Sequence, residues 1–185
     1  ENYASEGYGL FCSSAKPRLT NVTLSDNYGS GCGALYCNYS SHPILTNCIC
    51  YGWLFDQNIC LLGYYGEDSI TISYSDIQGG IEIIVGGVVN WLDGNMDEDP
   101  LFEFGTYELS NNSPCIDSGN PDTINLNLPA YDLTGNLRLW DGDEDGDTIV
   151  DMGAYENQAV CPTVDPIYVD RDASGSSSGD SWANA

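Results

Sequence analysis

Basic residues are nearly missing from this chain: four Lys and Arg stand against 28 Asp and Glu, a net charge of -24 over 185 residues. Too few cations are present to neutralise phosphates, which excludes nucleic-acid binding through a basic face. An anionic membrane surface is disfavoured for the same reason, and the field attracts cations instead, calcium first. No run of 18 apolar residues occurs, so no membrane span is expected. Helical periodicity is absent from residues 1–80. The single histidine, His42, stands before Pro43 at an expected surface turn, and no catalytic triad assembles around it. There is no initiator Met and no signal peptide, and residue 1 already lies inside a repeat. The chain therefore reads as a fragment of something longer.

What is present is repetition. Pro17, Arg18, Leu19, Thr20, Asn21, Val22 returns as Pro43, Ile44, Leu45, Thr46, Asn47, Cys48, 26 residues later. Gly7 to Cys12 is echoed by Gly31 to Cys37, and the spacing grows from 24 to 25 to 26 along the pair. A third, weaker copy is Ile72 to Ile77, with Ile59, Cys60, Leu61, Leu62 as the segment that extends the Cys12 and Cys37 ladder. Repeats of this length mean a stacked, quasi-one-dimensional architecture. Short alternating strands broken by Gly, Ser and Asn make it a parallel β-helix with two or three strands per coil. A β-sandwich is the alternative, but its hairpin spacing of roughly 8–12 residues does not explain identity at one long period. Leu45 and Cys48 are expected to face inward, with Asn47 stacked over Asn21 in a turn. Asn21 also opens an N-x-T sequon, which matters only in a glycosylating pathway.

Eight cysteines suit an oxidising compartment, but their spacing is neither that of a small disulfide scaffold nor of a zinc site. Cys48 and Cys50 share one face of a strand. Cys12 and Cys37 recur at one repeat position, and a stacked thiol ladder is favoured there over a disulfide because parallel Cβ vectors hold the sulfurs apart.

The expected organisation is β-helix coils over 1–80, a last coil and C-terminal cap over 81–157, and a linker with the start of a following module over 158–185. An open stack end needs a cap because it exposes unpaired backbone and apolar surface.

The ordered series YSDIQGG (74–80), GNMDEDPLF (94–102), SPCIDSG (113–119), NLPAYDLTGNLR (127–138) and DMGAYE (151–156) resembles the C-terminal part of secreted bacterial right-handed β-helix repeat proteins. The resemblance covers roughly residues 1–157 and implies a pectin-lyase-like fold and an extracellular or cell-surface setting. IYVDRDASGSSSGDSWANA (167–185) is similar to the opening of another such β-helix, so the piece straddles two modules. The resemblance implies little about chemistry, since fold does not fix function.

The strongest candidate site is the acidic run from Asp141 to Asp147, with Asp141, Asp143 and Asp145 at positions 1, 3 and 5 of an EF-hand-like loop and Gly146 at position 6. Position 12 is Met152 and not Glu, with Asp151 one residue early, and a strand follows in place of a helix. A calcium-binding acidic turn built on Asp141, Asp143, Asp145, Asp147 and Asp151 is the expectation, weighed against a solvated loop. Six carboxylates in eleven residues repel one another without a counter-ion.

Enzyme readings find less. A polysaccharide lyase needs a basic residue beside calcium, and the repeats hold only Lys16 and Arg18. A glycoside hydrolase needs clustered carboxylates, and Asp26, Asp56, Asp68 and Asp76 do not recur at one repeat position. Tyr28, Tyr36, Tyr39, Tyr51, Trp53, Tyr64 and Tyr65 are candidates for sugar stacking, though strands use such rings structurally as well. The expectation is a non-catalytic, adhesion-type module contacting an extracellular polysaccharide or cell-surface glycan. The alternative is a carbohydrate-active enzyme whose catalytic coils lie partly outside this piece.

Overall fold

In a computed structural model the protein is described over residues 9–27, 32–52, 58–63, 67–141 and 146–158. Within them lie three parallel sheets; each of the first three turns of the chain gives one strand to each sheet, and the fourth gives a strand to two of them. Sheet 1 stacks β1 (Leu10–Ser13), β4 (Leu35–Asn38), β7 (Ile59–Leu61) and β10 (Ile84–Gly86). Sheet 2 stacks β2 (Arg18–Thr20), β5 (Ile44–Thr46), β8 (Ser69–Ser73) and β11 (Val88–Trp91). Sheet 3 holds β3 (Thr23–Ser25), β6 (Ile49–Tyr51) and β9 (Asp76–Ile77). All-β, with stacked parallel sheets and a single short 3-10 turn at Gly80–Ile83 among the described residues, this is the arrangement of a parallel β-solenoid.

The repeat identity is the strand register. Leu19 pairs with Leu45 and Leu45 with Ile72, and all three side chains are buried, so one apolar column runs down the interior. Strand β8 shows the period-2 rule directly: Ile70 and Ile72 point in while the serines and threonine between them stay half-exposed. Cys48 and Cys50 share the interior, and the residue between them, Ile49, faces the other way.

The cysteine ladder is shorter than its sequence suggests. Cys12 and Cys37 stand in register with their thiols hydrogen-bonded, and both are free. One rung on, the residue opposite Cys37 is Leu61 and not Cys60. Cys60 pairs with Tyr36 in the outward column, where it is disulfide-bonded to Cys32. A one-residue offset on a strand exchanges inner and outer faces, and this decides the matter.

Corners recur as strictly as strands. Asn21 (φ 52°), Asn47 (φ 55°) and Tyr74 (φ 48°) all adopt the left-handed conformation at the turn between sheets 2 and 3. Asn tolerates that region best of the non-glycine residues, and Asn47 Nδ2 donates to Asn21 Oδ1 at 3.2 Å. Corner N–H groups are completed by the next rung's side chains. The Ala15 N–H donates to Ser41 Oγ and the Ser41 N–H to Asp68 Oδ1. At another corner the Cys48 N–H donates to Ser75 Oγ, and the Ser75 N–H to Asn95 Oδ1.

The fourth rung looks aperiodic in sequence because its turn is compressed. Between sheets 1 and 2 it has only the Gly86-Gly87 junction, where added Cβ atoms would sit 2.3 Å from the Leu61 carbonyl oxygen and 2.5 Å from Leu61 Cβ. Glycine alone fits so close an approach at positive φ.

The chain then leaves the stack and lies along the outward face of sheet 3. Ile49 packs with Leu109, Cys115, Ile116 and Met152 in a second apolar cluster flanked by Tyr51, Tyr74, Met96 and Phe102. Polar contacts register this segment across rungs: Asn21 Nδ2 donates to the Asp151 carbonyl, the Gly153 N–H to the Asn47 carbonyl, and the Ala154 N–H to Thr23 Oγ1. The segment's described contacts thus run to the flank of the coils.

Candidate functional site

The C-terminal segment has little regular pairing and is shaped by side chains. A turn closes on the bridge between Phe102 and Leu109, with the Glu103 N–H donating to the Glu108 carbonyl at 2.8 Å. A second closes on Tyr131 and Leu137 around Asp132, whose Oδ1 accepts the Thr134 and Asn136 N–H groups, each at 2.8 Å. Asp132 Oδ2 accepts the Glu156 N–H at 2.9 Å, tying this turn to the end of the described chain. Burial alone would raise the Asp132 carboxyl, but the hydrogen bonds from Glu156, Asn136 and Thr134 outweigh it and hold it below the ordinary value.

Behind these turns lies a buried charged cluster. Arg138 Nη1 meets Glu156 Oε1 at 2.9 Å, and Arg138 Nη2 donates to the Ala154 carbonyl. Glu156 Oε2 accepts the Asp151 N–H, and the Asp151 carboxylate accepts the Asp117 and Asn157 N–H groups at 2.9 and 2.6 Å. One guanidinium serves two buried carboxyls. Desolvation dominates both and raises them, Asp151 to about 7 and Glu156 to about 8. A third buried carboxyl, Asp76, sits where sheet 3 meets the segment, accepting the Glu98 N–H and the Cys115 thiol. Burial raises Asp76 to about 7 and raises Cys115 as well.

Between the two turns is a pocket of about 300 Å³. Glu103, Glu108 and Leu109 line it from the first turn, and Asn111 and Asn136 from beside it. Glu156, Asn157 and Gln158 complete the wall. Such a lining offers many hydrogen-bonding oxygens and one apolar surface, and no Lys or Arg.

The acidic run falls only partly within the described residues. Asp143 and Asp145 lie outside them. Asp141 Oδ2 accepts the Gly146 N–H at 3.1 Å, while Asp141 Oδ1 is buried with no hydrogen-bond partner among the described residues. Asp147 is exposed, and Asp151 belongs to the buried cluster with both carboxylate oxygens on backbone N–H groups. Among the described residues no group of three or more His, Cys, Asp or Glu is arranged to hold a metal ion.

The other singled-out residues are dispersed. Lys16 and Arg18 are exposed on the first rung. Asp68 is buried at the turn from sheet 1 to sheet 2, Asp76 is in sheet 3, Asp26 is half-buried, and Asp56 lies outside the described residues. His42 Nδ1 lies 2.9 Å from Ser69 Oγ. Of the tyrosines, Tyr36 stacks on Phe11 with centroids 5.5 Å apart, Tyr39 is exposed and Tyr51 is half-buried. Tyr28, Trp53, Tyr64 and Tyr65 lie outside the described residues.

Sequence reasoning missed Glu103, Glu108, Asn136, Arg138, Glu156 and Asn157. One signal was present: Arg138 is a lone basic residue in an acidic stretch, and such a cation is kept for a buried partner. The chain matches no family model, no curated protein and no solved structure. Among the described residues no helix is long and apolar enough to cross a membrane.

Proposed function

We propose that this chain is a non-catalytic, adhesion-type module of a secreted or surface-displayed bacterial β-helix protein, and that it contacts a glycan through the pocket of its C-terminal segment. The pocket carries this reading: amides, carboxylates and one leucine form a concave polar surface of the kind that hydrogen-bonds hydroxyl-rich ligands. The Cys32–Cys60 disulfide supports an oxidising, extracellular compartment. Right-handed winding, the rule for parallel crossovers, and a capping role for the segment beyond the fourth rung belong to the same reading.

Calcium holding the acidic turn is a further part of it. Asp141 Oδ1, buried and unpartnered, is an oxygen left available to a cation. A melting scan with calcium and with chelator tests this, and an unchanged midpoint removes calcium from the account.

A carbohydrate-active enzyme is the second reading, favoured by three glutamates, Glu103, Glu108 and Glu156, lining one pocket. Against it, Glu156 has one oxygen on Arg138 and the other on a backbone N–H. Incubation with a panel of polysaccharides separates the two. Retention on a glycan with no release of reducing ends supports the binding module. Turnover that Glu103→Gln or Glu108→Gln abolishes supports the enzyme, and no retention at all sinks the glycan reading.

A further inference from the structure

The pocket is polarised in its hydrogen bonding as well as in its charge. Asn136 Nδ2 donates to Thr134 Oγ1 at 3.1 Å and to the Glu156 carbonyl at 3.2 Å. Asn157 Nδ2 donates to the Leu109 carbonyl at 2.8 Å and to Asn111 Oδ1 at 3.1 Å. Gln158 Nε2 donates to the Leu137 carbonyl at 3.3 Å. Two of the four lining amides have thus committed both N–H donors to the protein itself and a third has committed one, while Asn111 is held through its Oδ1. The carboxylates of Glu103 and Glu108 make no hydrogen bond or ion pair among the described residues, and both residues are exposed. What faces the cavity is therefore mostly acceptor, with two uncompensated negative charges at its rim.

The hydroxyls of a neutral sugar each bring one donor and two acceptor lone pairs and would leave the acceptor excess unmatched. A protonated primary amine brings three donors and the complementary charge. The net charge of -24 likewise favours a cationic ligand. The volume of about 300 Å³ has room for a terminal unit and not for a long chain.

We propose that the pocket binds the free ammonium group of an amino sugar at the end of a basic glycan, with Glu103 and Glu108 as its counter-ions. This rests on the glycan reading above and names the chemistry of the ligand. Carboxylate–ammonium hydrogen bonds set the charge preference.

Calorimetric titration of the full chain tests it at about 0.15 M salt with four probes. These are a glucosamine oligosaccharide with free amines, its N-acetylated counterpart, a glucose oligosaccharide of equal length, and spermine. The free-amine sugar is expected to bind about 10–100-fold more tightly than its acetylated form, the worth of hydrogen bonds to a charged group. Glu103→Gln with Glu108→Gln should erase that preference with the circular dichroism unchanged. Glu82→Gln with Asp93→Asn, which removes two exposed charges that do not line the pocket, should leave it intact. Equal binding of acetylated or neutral sugar overturns the ammonium assignment while the glycan reading survives. Spermine binding as tightly as the free-amine sugar and insensitive to the pocket variants reduces the effect to long-range attraction and overturns it. Binding of none of the sugars overturns both.

Discussion

The coils hold most of the tyrosines and the C-terminal segment most of the acidic residues, and the two are held together in opposite ways. In the coils, backbone ladders pair rung to rung and the interior columns are apolar: Leu19, Leu45 and Ile72 in one, Leu24, Cys50 and Ile77 in another. Within the segment, the strand-like pairings among the described residues are two isolated antiparallel bridges, and one parallel bridge, Asp76 with Met96, ties its start to sheet 3. Its order comes from side-chain hydrogen bonds at Asp132, Arg138, Asp151, Glu156 and Asn157, while Phe104, Ile124 and Leu133 remain largely exposed. Cohesion in a stack is repeated and redundant. Cohesion in the segment is concentrated in a few desolvated groups, where losing one partner strands another.

Four changes would break or sharpen that contrast. The largest is Leu45→Ala, which opens a cavity between Leu19 and Ile72 and should cost about 4 kcal/mol. Urea unfolding should show it as a global loss; a change under about 1 kcal/mol would mean the interior is not close-packed. Next is removal of the Cys32–Cys60 crosslink by Cys32→Ala with Cys60→Ala. It frees a span of 28 residues and should cost about 3.6 kcal/mol by the same measurement.

Third, Arg138→Gln leaves Glu156 buried without its cation and should cost about 3 kcal/mol, felt locally. Hydrogen exchange should quicken across 109–158 while the amides of β5 and β8 keep their protection. Equal loss in both places would show that the two regions unfold as one. The smallest change is Asp76→Asn. Asp76 has a folded pKa of about 7 against 3.8, so from about pH 4 to 7 the folded chain keeps a proton that the unfolded chain has lost. Stability therefore falls as pH rises through that window and levels off above it. Asp151 and Glu156 act in the same direction. The Asn variant should match the parent at pH 4 and be the more stable of the two at pH 8, with a shallower slope between. Parallel pH profiles would remove Asp76 from this account.

The coils were legible because their information is local and repeated. The 26-residue offset that aligns Asn21 with Asn47 is also the register of β2 with β5. Legibility ended at the fourth rung, where Gly86 and Gly87 shorten the turn and erase the period while keeping the pairing of β10 and β11. It failed at Cys60, because residue type alone does not say which of two adjacent positions points inward. Almost nothing of the segment was readable. The residues that seat it are 130 and 131 positions away from the ones they touch, Asn21 to Asp151 and Thr23 to Ala154, and no periodicity announces such contacts. The polar pocket is assembled from turns with no repeat, so its glutamates and amides carried no mark beyond the isolated Arg138 beside them.

The corner relay, in which Ala15 is completed by Ser41, Ser41 by Asp68, Cys48 by Ser75 and Ser75 by Asn95, gives the stack a direction in time. Each acceptor belongs to a coil synthesised after its donor. On a ribosome, every coil would wait, one corner short, for its successor to emerge, so ordering should trail synthesis by one turn and advance as a zipper from the N-terminal side. Deleting a whole coil leaves such a zipper with matching teeth, whereas moving a single corner residue misaligns two coils at once.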